Sequence, residues 1–186
     1  TTTNTSIEIN VSIEEANLDE VKFNWNGTNY TMYNDSLVLM MNFDNVSALG
    51  ESYSSSDSVV VDLSSVGNNG ITKNSVGGSW TTGKYGGAFD FEASSSEYII
   101  SSASNSIINE ENFTMSAWFN PNTIAADDGG DRVITFYKGA SAGSAIYIGV
   151  GNSNKFQFGY TNDGAVFSQV NVDIISTGNW YHGVVV

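Results

Sequence analysis

The chain of 186 residues contains no cysteine. That excludes disulfides, thiolate zinc sites and cysteine nucleophiles together. It does not fix the compartment, because surface proteins can also do without cysteine. Proline occurs once, as Pro121, and long stretches of helix-favouring Ala, Leu, Glu and Lys are missing. Bases are scarce as well: six Lys and Arg stand against 20 Asp and Glu, for a net charge of -14. Such a surface repels phosphate backbones and has no basic cluster to offset the repulsion, so nucleic acid is excluded as a partner. No apolar run approaches the roughly 20 residues of a membrane span. The opening "TTTNTSIEIN" is polar from its first residue, so no signal peptide is visible. The chain reads either as a mature product or as an internal fragment.

What is present points to strands. Hydrophobic residues make up 40% and aromatic residues 12% of the chain, enough for a substantial core. Short alternating runs recur about every ten residues: "VKFNW", "VVVDL", "AFDF", "YII", "FTMSAWF", "VITFY", "AIYIGV", "KFQFGY", "VFSQVNV" and "WYHGVVV". Polar turn signals such as "GNNG", "DDGGD", "TNDG" and "STGN" separate them. Many short strands with polar turns predict an antiparallel sandwich with very little helix. Residues 36–44, "SLVLMMNFD", read as a strand buried on both sides. Phe89 and Phe91 alternate with Asp90 and Glu92, which predicts that both rings point inward, together with Met115, Ala117 and Phe119. Trp80, Trp118 and Trp180 are read as core residues. Gly83, Gly86 and Gly87 predict a tight turn and close strand approach.

The first 35 residues differ from the rest. They are read as a separate strand-and-hairpin segment, 1–35, ahead of a sandwich at 36–186; the segment is either an appendage or the end of a preceding β-domain. Asn-x-Ser/Thr triplets fall at Asn4, Asn10, Asn26, Asn29, Asn34, Asn45 and Asn112, and all but Asn112 lie in the first 45 positions. Asn and Ser taken together are about as frequent in the later chain, and the bias is read as predicting N-glycosylation and an extracellular, cell-surface location.

From Leu37 onward, "LVLMMNFDN", "VVVDLSSVGNNGIT", "GGSWTTGKYGGAFDFEASSSEYIIS", "NFTMSAWFNP", "VITFYKG", "KFQFGY" and "TGNWYHGVVV" occur in an order that resembles the LamG-like jelly-roll domains of the concanavalin A-like lectin/glucanase superfamily. The resemblance implies an all-β antiparallel jelly-roll sandwich with an N-terminal β appendage, in a prokaryotic surface protein. It also implies that the sandwich stops short of the family's full set of strands, leaving "WYHGVVV" as an edge to be covered by more chain or by another molecule. By family position, Asp44, Asp62 and Glu92 are the candidate calcium ligands. The chain departs from the family there, with Phe91-Glu92-Ala93 and Ser96-Glu97-Tyr98 where members carry aspartates. A second acidic loop, Asp127, Asp128 and Asp131, lacks the spacing of an EF-hand.

Catalysis has little to stand on. The closely spaced acids of the family's glucanases have no counterpart: Glu110 and Glu111 are adjacent and would diverge on a strand. His182, the single histidine, lies in an apolar run with no Ser-His-Asp set around it. The expectation is a non-catalytic extracellular structural or adhesive module of a glycosylated surface or filament protein, with neighbouring copies or other surface proteins as partners. The alternative is a carbohydrate-binding module whose partners are glycans. Exposed Tyr or Trp rings side by side would favour the second reading.

Overall fold

In the computed structural model, residues 13, 20–34, 36–101, 113–124, 131–138, 144–151, 154–162 and 165–186 are described. The chain divides into two compact units, Thr1–Leu37 and Val38–Val186. Among the described residues there is no α-helix and no helix long and apolar enough to cross a membrane.

The first unit holds one hairpin, β1 (Glu20–Trp25) and β2 (Thr28–Asn34). Its two-residue connection is Asn26-Gly27, with φ of 51° and 82°. Asn-Gly is the favoured pair for such a turn because both central residues must take the left-handed region.

The second unit is built from short antiparallel sheets. One joins β3 (Val59–Val60), β4 (Gly70–Lys73) and β7 (Tyr98–Ser101), with β4 in the middle. A small ladder pairs β5 (Trp80–Thr82) with β6 (Gly87–Phe89). Another pairs β8 (Met115–Phe119) with β13 (Tyr181–Val185). A four-stranded meander runs through β9 (Asp131–Lys138), β10 (Ser144–Gly151), β11 (Lys155–Asn162) and β12 (Ala165–Ile174).

Two apolar clusters hold these sheets. Met115 and Phe119 of β8 pack with Ile146, Ile148 and Val150 of β10, Phe156 of β11 and Ile175. Phe119 stacks on Phe156 at 5.9 Å and on Tyr181 at 5.9 Å, so the inner face of β8 and β13 lies on the meander, sheet against sheet. The second cluster joins Val60, Val76 and Phe89, with Met41, Phe43, Tyr53 and Ile99 packed around it. Beside it lies Glu51, 1% exposed. Its carboxylate accepts hydrogen bonds from the Tyr53 hydroxyl and from the Val46 and Val61 backbone N–H groups, which is what permits a charge at this depth. Burial, followed by the hydrogen bond and the charge of Glu51, pushes the Tyr53 hydroxyl pKa upward.

Three expectations are corrected. Residues 37–46 are not a ladder strand. Phe43 and Asn45 take positive φ of 61° and 57°, which breaks the strand, and Val38 and Met40 are exposed rather than buried. Side chains supply bonds in place of a ladder: Met40 N–H donates to Asp62 Oδ1, and Asn68 Nδ2 donates to the Val38 carbonyl. Phe91 is 48% exposed, because β6 ends at Phe89 and the chain then turns through a 3-10 segment at Ala93–Ser95, ending the alternation. Trp80 and Trp118 are exposed, not core, while Trp180 is half-buried. Phe89, Met115 and Phe119 are buried, and Ala117 packs against the same cluster.

Candidate functional site: an exposed aromatic platform

Strand alternation builds the site. In β8 and β13, Met115, Ala117 and Phe119 and their neighbours Tyr181, Gly183 and Val185 face the core, so Ser116, Trp118, His182 and Val184 face outward. The register sets His182 opposite Trp118. Directly opposed residues sit about 4.5–5.5 Å apart at Cβ, and here the rings stack, with centroids 4.8 Å apart and an interplanar angle of 14°.

A third ring comes from the β5–β6 connection, "GKYGG". Tyr85 meets Trp118 edge-on, at 5.4 Å and 81°, and is 69% exposed. Lys84 Nζ stands 6.0 Å from the Tyr85 ring centroid. Edge-to-face contacts of this kind hold a ring in one orientation and leave its surface open.

The loop that presents Tyr85 is held from below. Gly83 N–H donates to the Gly86 carbonyl, closing the turn, and Gly87 N–H donates to Asp44 Oδ1 at 2.9 Å. Trp80 Nε1 donates to the Phe43 carbonyl at 2.7 Å. A first side-chain carbon at Gly86 would fall 1.9 Å from Asp44 Oδ1, and one at Gly87 would fall 2.1 Å from the Phe43 oxygen. Only glycine fits, as the sequence reading of this stretch expected. The positive φ of Phe43 is uncommon for a bulky residue. It turns the Phe43 carbonyl and the Asp44 carboxylate toward this loop.

The candidate calcium ligands are not brought together. Among the described residues, no three His, Cys, Asp or Glu side chains converge as a metal site. Both Asp44 oxygens are engaged, one by Gly87 N–H and the other by Asn42 Nδ2. Asp62 is buried and accepts from Met40 N–H, Ser64 N–H, the Ser64 hydroxyl and Asn68 N–H. Burial raises its pKa, and these hydrogen bonds outweigh that and leave it below the usual carboxylate value. Exposed Glu92 accepts from Ser94 N–H, which caps the 3-10 segment and lowers its pKa. Asp127, Asp128, Glu110 and Glu111 lie outside the described residues, and so do Asn4, Asn10 and Asn112. Of the other sequons, Asn26 is in the hairpin turn, and Asn29 and Asn34 are in β2. Asn45 is half-buried, with its Oδ1 accepting from Tyr53 N–H.

Residues 93–186 match the Laminin_G_3 family model, described as concanavalin A-like lectin/glucanases superfamily, over slightly more than half of the chain. The chain belongs to this superfamily. No curated protein and no solved structure matches it. The lectin/glucanase match includes Trp118 and His182; Tyr85 lies ahead of it, on the loop that Asp44 supports. Sequence reading missed this trio. The signal was present as the odd spacing of Trp118 from both Met115 and Phe119 along β8, which places the Trp on the opposite face from both, but the pull of tryptophan toward the core was given more weight.

Proposed function

We propose that this chain is a non-catalytic extracellular module that recognises carbohydrate, with the Tyr85–Trp118–His182 platform as its binding surface. The observation that carries the reading is Tyr85: a tyrosine 69% exposed, held edge-on by a second exposed aromatic. A sugar presents one face of C–H groups with partial positive charge, and an aromatic ring presents a negative face to meet it. Lys84 beside the ring and the Tyr85 hydroxyl can add polar contacts to sugar oxygens. Membership of a lectin-containing superfamily supports this, and laminin G-like domains are generally non-catalytic. Sequons at Asn26, Asn29, Asn34 and Asn45 support an extracellular address.

A glycan array probed with the chain and with Tyr85→Ala tests the reading. The unaltered chain is expected to retain at least one glycan class, and Tyr85→Ala to lose it while changing stability by no more than about 0.5 kcal/mol, as is usual at exposed positions. Equal array profiles for the two proteins would remove the platform from the account.

A further inference from the structure

The geometry points to a built glycan-acceptor site at the β1–β2 turn: Asn26 takes an N-linked glycan, and the first sugar of that glycan rests on the ring of Trp25. This is a modification of the first unit, independent of what the platform of the second unit binds. Trp25, Asn26, Gly27 and Thr28 form a single turn, with Trp25 and Thr28 as the closing pair of the ladder. Asn26 and Thr28 are the two ends of a sequon, and both are exposed. Directly opposed residues share a face of the hairpin with Cβ atoms about 5 Å apart, so the Trp25 ring lies beside the sequon threonine.

Trp25 is 62% exposed. A ring of this size at a hairpin tip leaves a large apolar surface in water. A sugar joined to the neighbouring Asn26 covers that surface with its C–H face, at little added entropic cost because the linkage already holds it there. The second sequon of the hairpin is placed differently. Asn29 pairs with Asn24 in the next register position, so it lies on the face opposite Trp25. Its Oδ1 accepts from Asn24 Nδ2 at 2.7 Å, and Asn24 Oδ1 in turn accepts from Gly27 N–H. Asn24 and Asn29 are thus bonded to each other on that face, while Asn26 stands at the turn beside the exposed Trp25 ring.

The donor in the covalent step is a lipid-linked sugar phosphate or pyrophosphate. Asn26 Nδ2 attacks C1 of the sugar, the C1–N bond forms, and the C1–O bond to phosphate breaks. The lipid phosphate leaves with the electron pair, and Nδ2 gives one of its protons to the transferase.

The test is to secrete the full chain from eukaryotic cells, where the linking sugar is N-acetylglucosamine, and to read it in two ways. Glycopeptide mass spectrometry is expected to find Asn26 occupied. Proton NMR of the glycan trimmed to its first sugar is expected to show cross-relaxation between sugar protons and the Trp25 ring, and an upfield acetyl methyl signal. Trp25→Ala serves to assign the ring signals. A bare Asn26 would overturn the proposal, and so would an occupied Asn26 whose sugar shows no contact with Trp25.

Discussion

Asp62 shows how a single side chain can look like a ligand and serve as a brace. Four donors from three segments converge on its two oxygens, at 2.7 to 2.9 Å. Hydrogen bonds to a charged group are each stronger than neutral ones. Asp62→Asn replaces one acceptor by a donor that faces these N–H groups, so we expect a loss of about 2–3 kcal/mol, equal in calcium and in chelator. The pH dependence follows from the lowered pKa. Stabilisation by Asp62 is present above the unfolded carboxyl value of ~3.9 and is lost as the pH falls through the lower folded value. Denaturant melts from pH 7 to pH 2 should therefore show a flatter acid limb in Asp62→Asn than in the unaltered chain; parallel limbs would contradict this role. From sequence, Asp62 could be picked out but not understood, because its partners Met40 and Asn68 lie 22 and 6 residues away along the chain. Trp118 was misread for the opposite reason: hydrophobicity predicts burial, but the pleat of β8 decides which face a ring takes.

At the scale of the element, most strands were legible, and the side-chain bonds that tie segments together were not. The alternating runs "VITFY", "AIYIGV" and "KFQFGY", and the central five residues of "WYHGVVV", fall in ladder strands, since a period of two can be read directly. The segment "LVLMMNF" has strand composition but no ladder, because Phe43 and Asn45 adopt left-handed backbone and pairing passes to side chains. No local pattern signals that. Its role is to carry the Phe43 carbonyl and the Asp44 carboxylate to the β5–β6 loop. The glycines of that loop were legible as a turn, and the structure adds what they approach. Gly87→Ala would drive a methyl into the Phe43 oxygen and the Trp80 ring. We expect a destabilisation of about 2–3 kcal/mol and a displaced Tyr85. Thermal melts check the first, and loss of the Tyr85–Trp118 edge contact in a structure of the variant checks the second.

At the scale of the molecule, the all-β class and the superfamily were legible from the order of motifs, and the sheets and the family match agree with them. The aromatic platform proposed as the binding surface was not, because it joins rings from residues 85, 118 and 182, far apart in the chain and brought together by the β8–β13 register and a supported loop. On the proposed ring-stacking mode, a chain with net charge -14 gains little from long-range attraction to an anionic ligand. Its glycan affinity should therefore change little with ionic strength, since salt screens charges and leaves apolar contact intact. The most direct test of the central claim is isothermal titration of the array-selected glycan into the unaltered chain, Tyr85→Ala and Trp25→Ala, at low and high salt. Saturable binding is expected that is insensitive to salt, unchanged in Trp25→Ala and lost in Tyr85→Ala; full affinity retained by Tyr85→Ala would contradict a platform built on Tyr85.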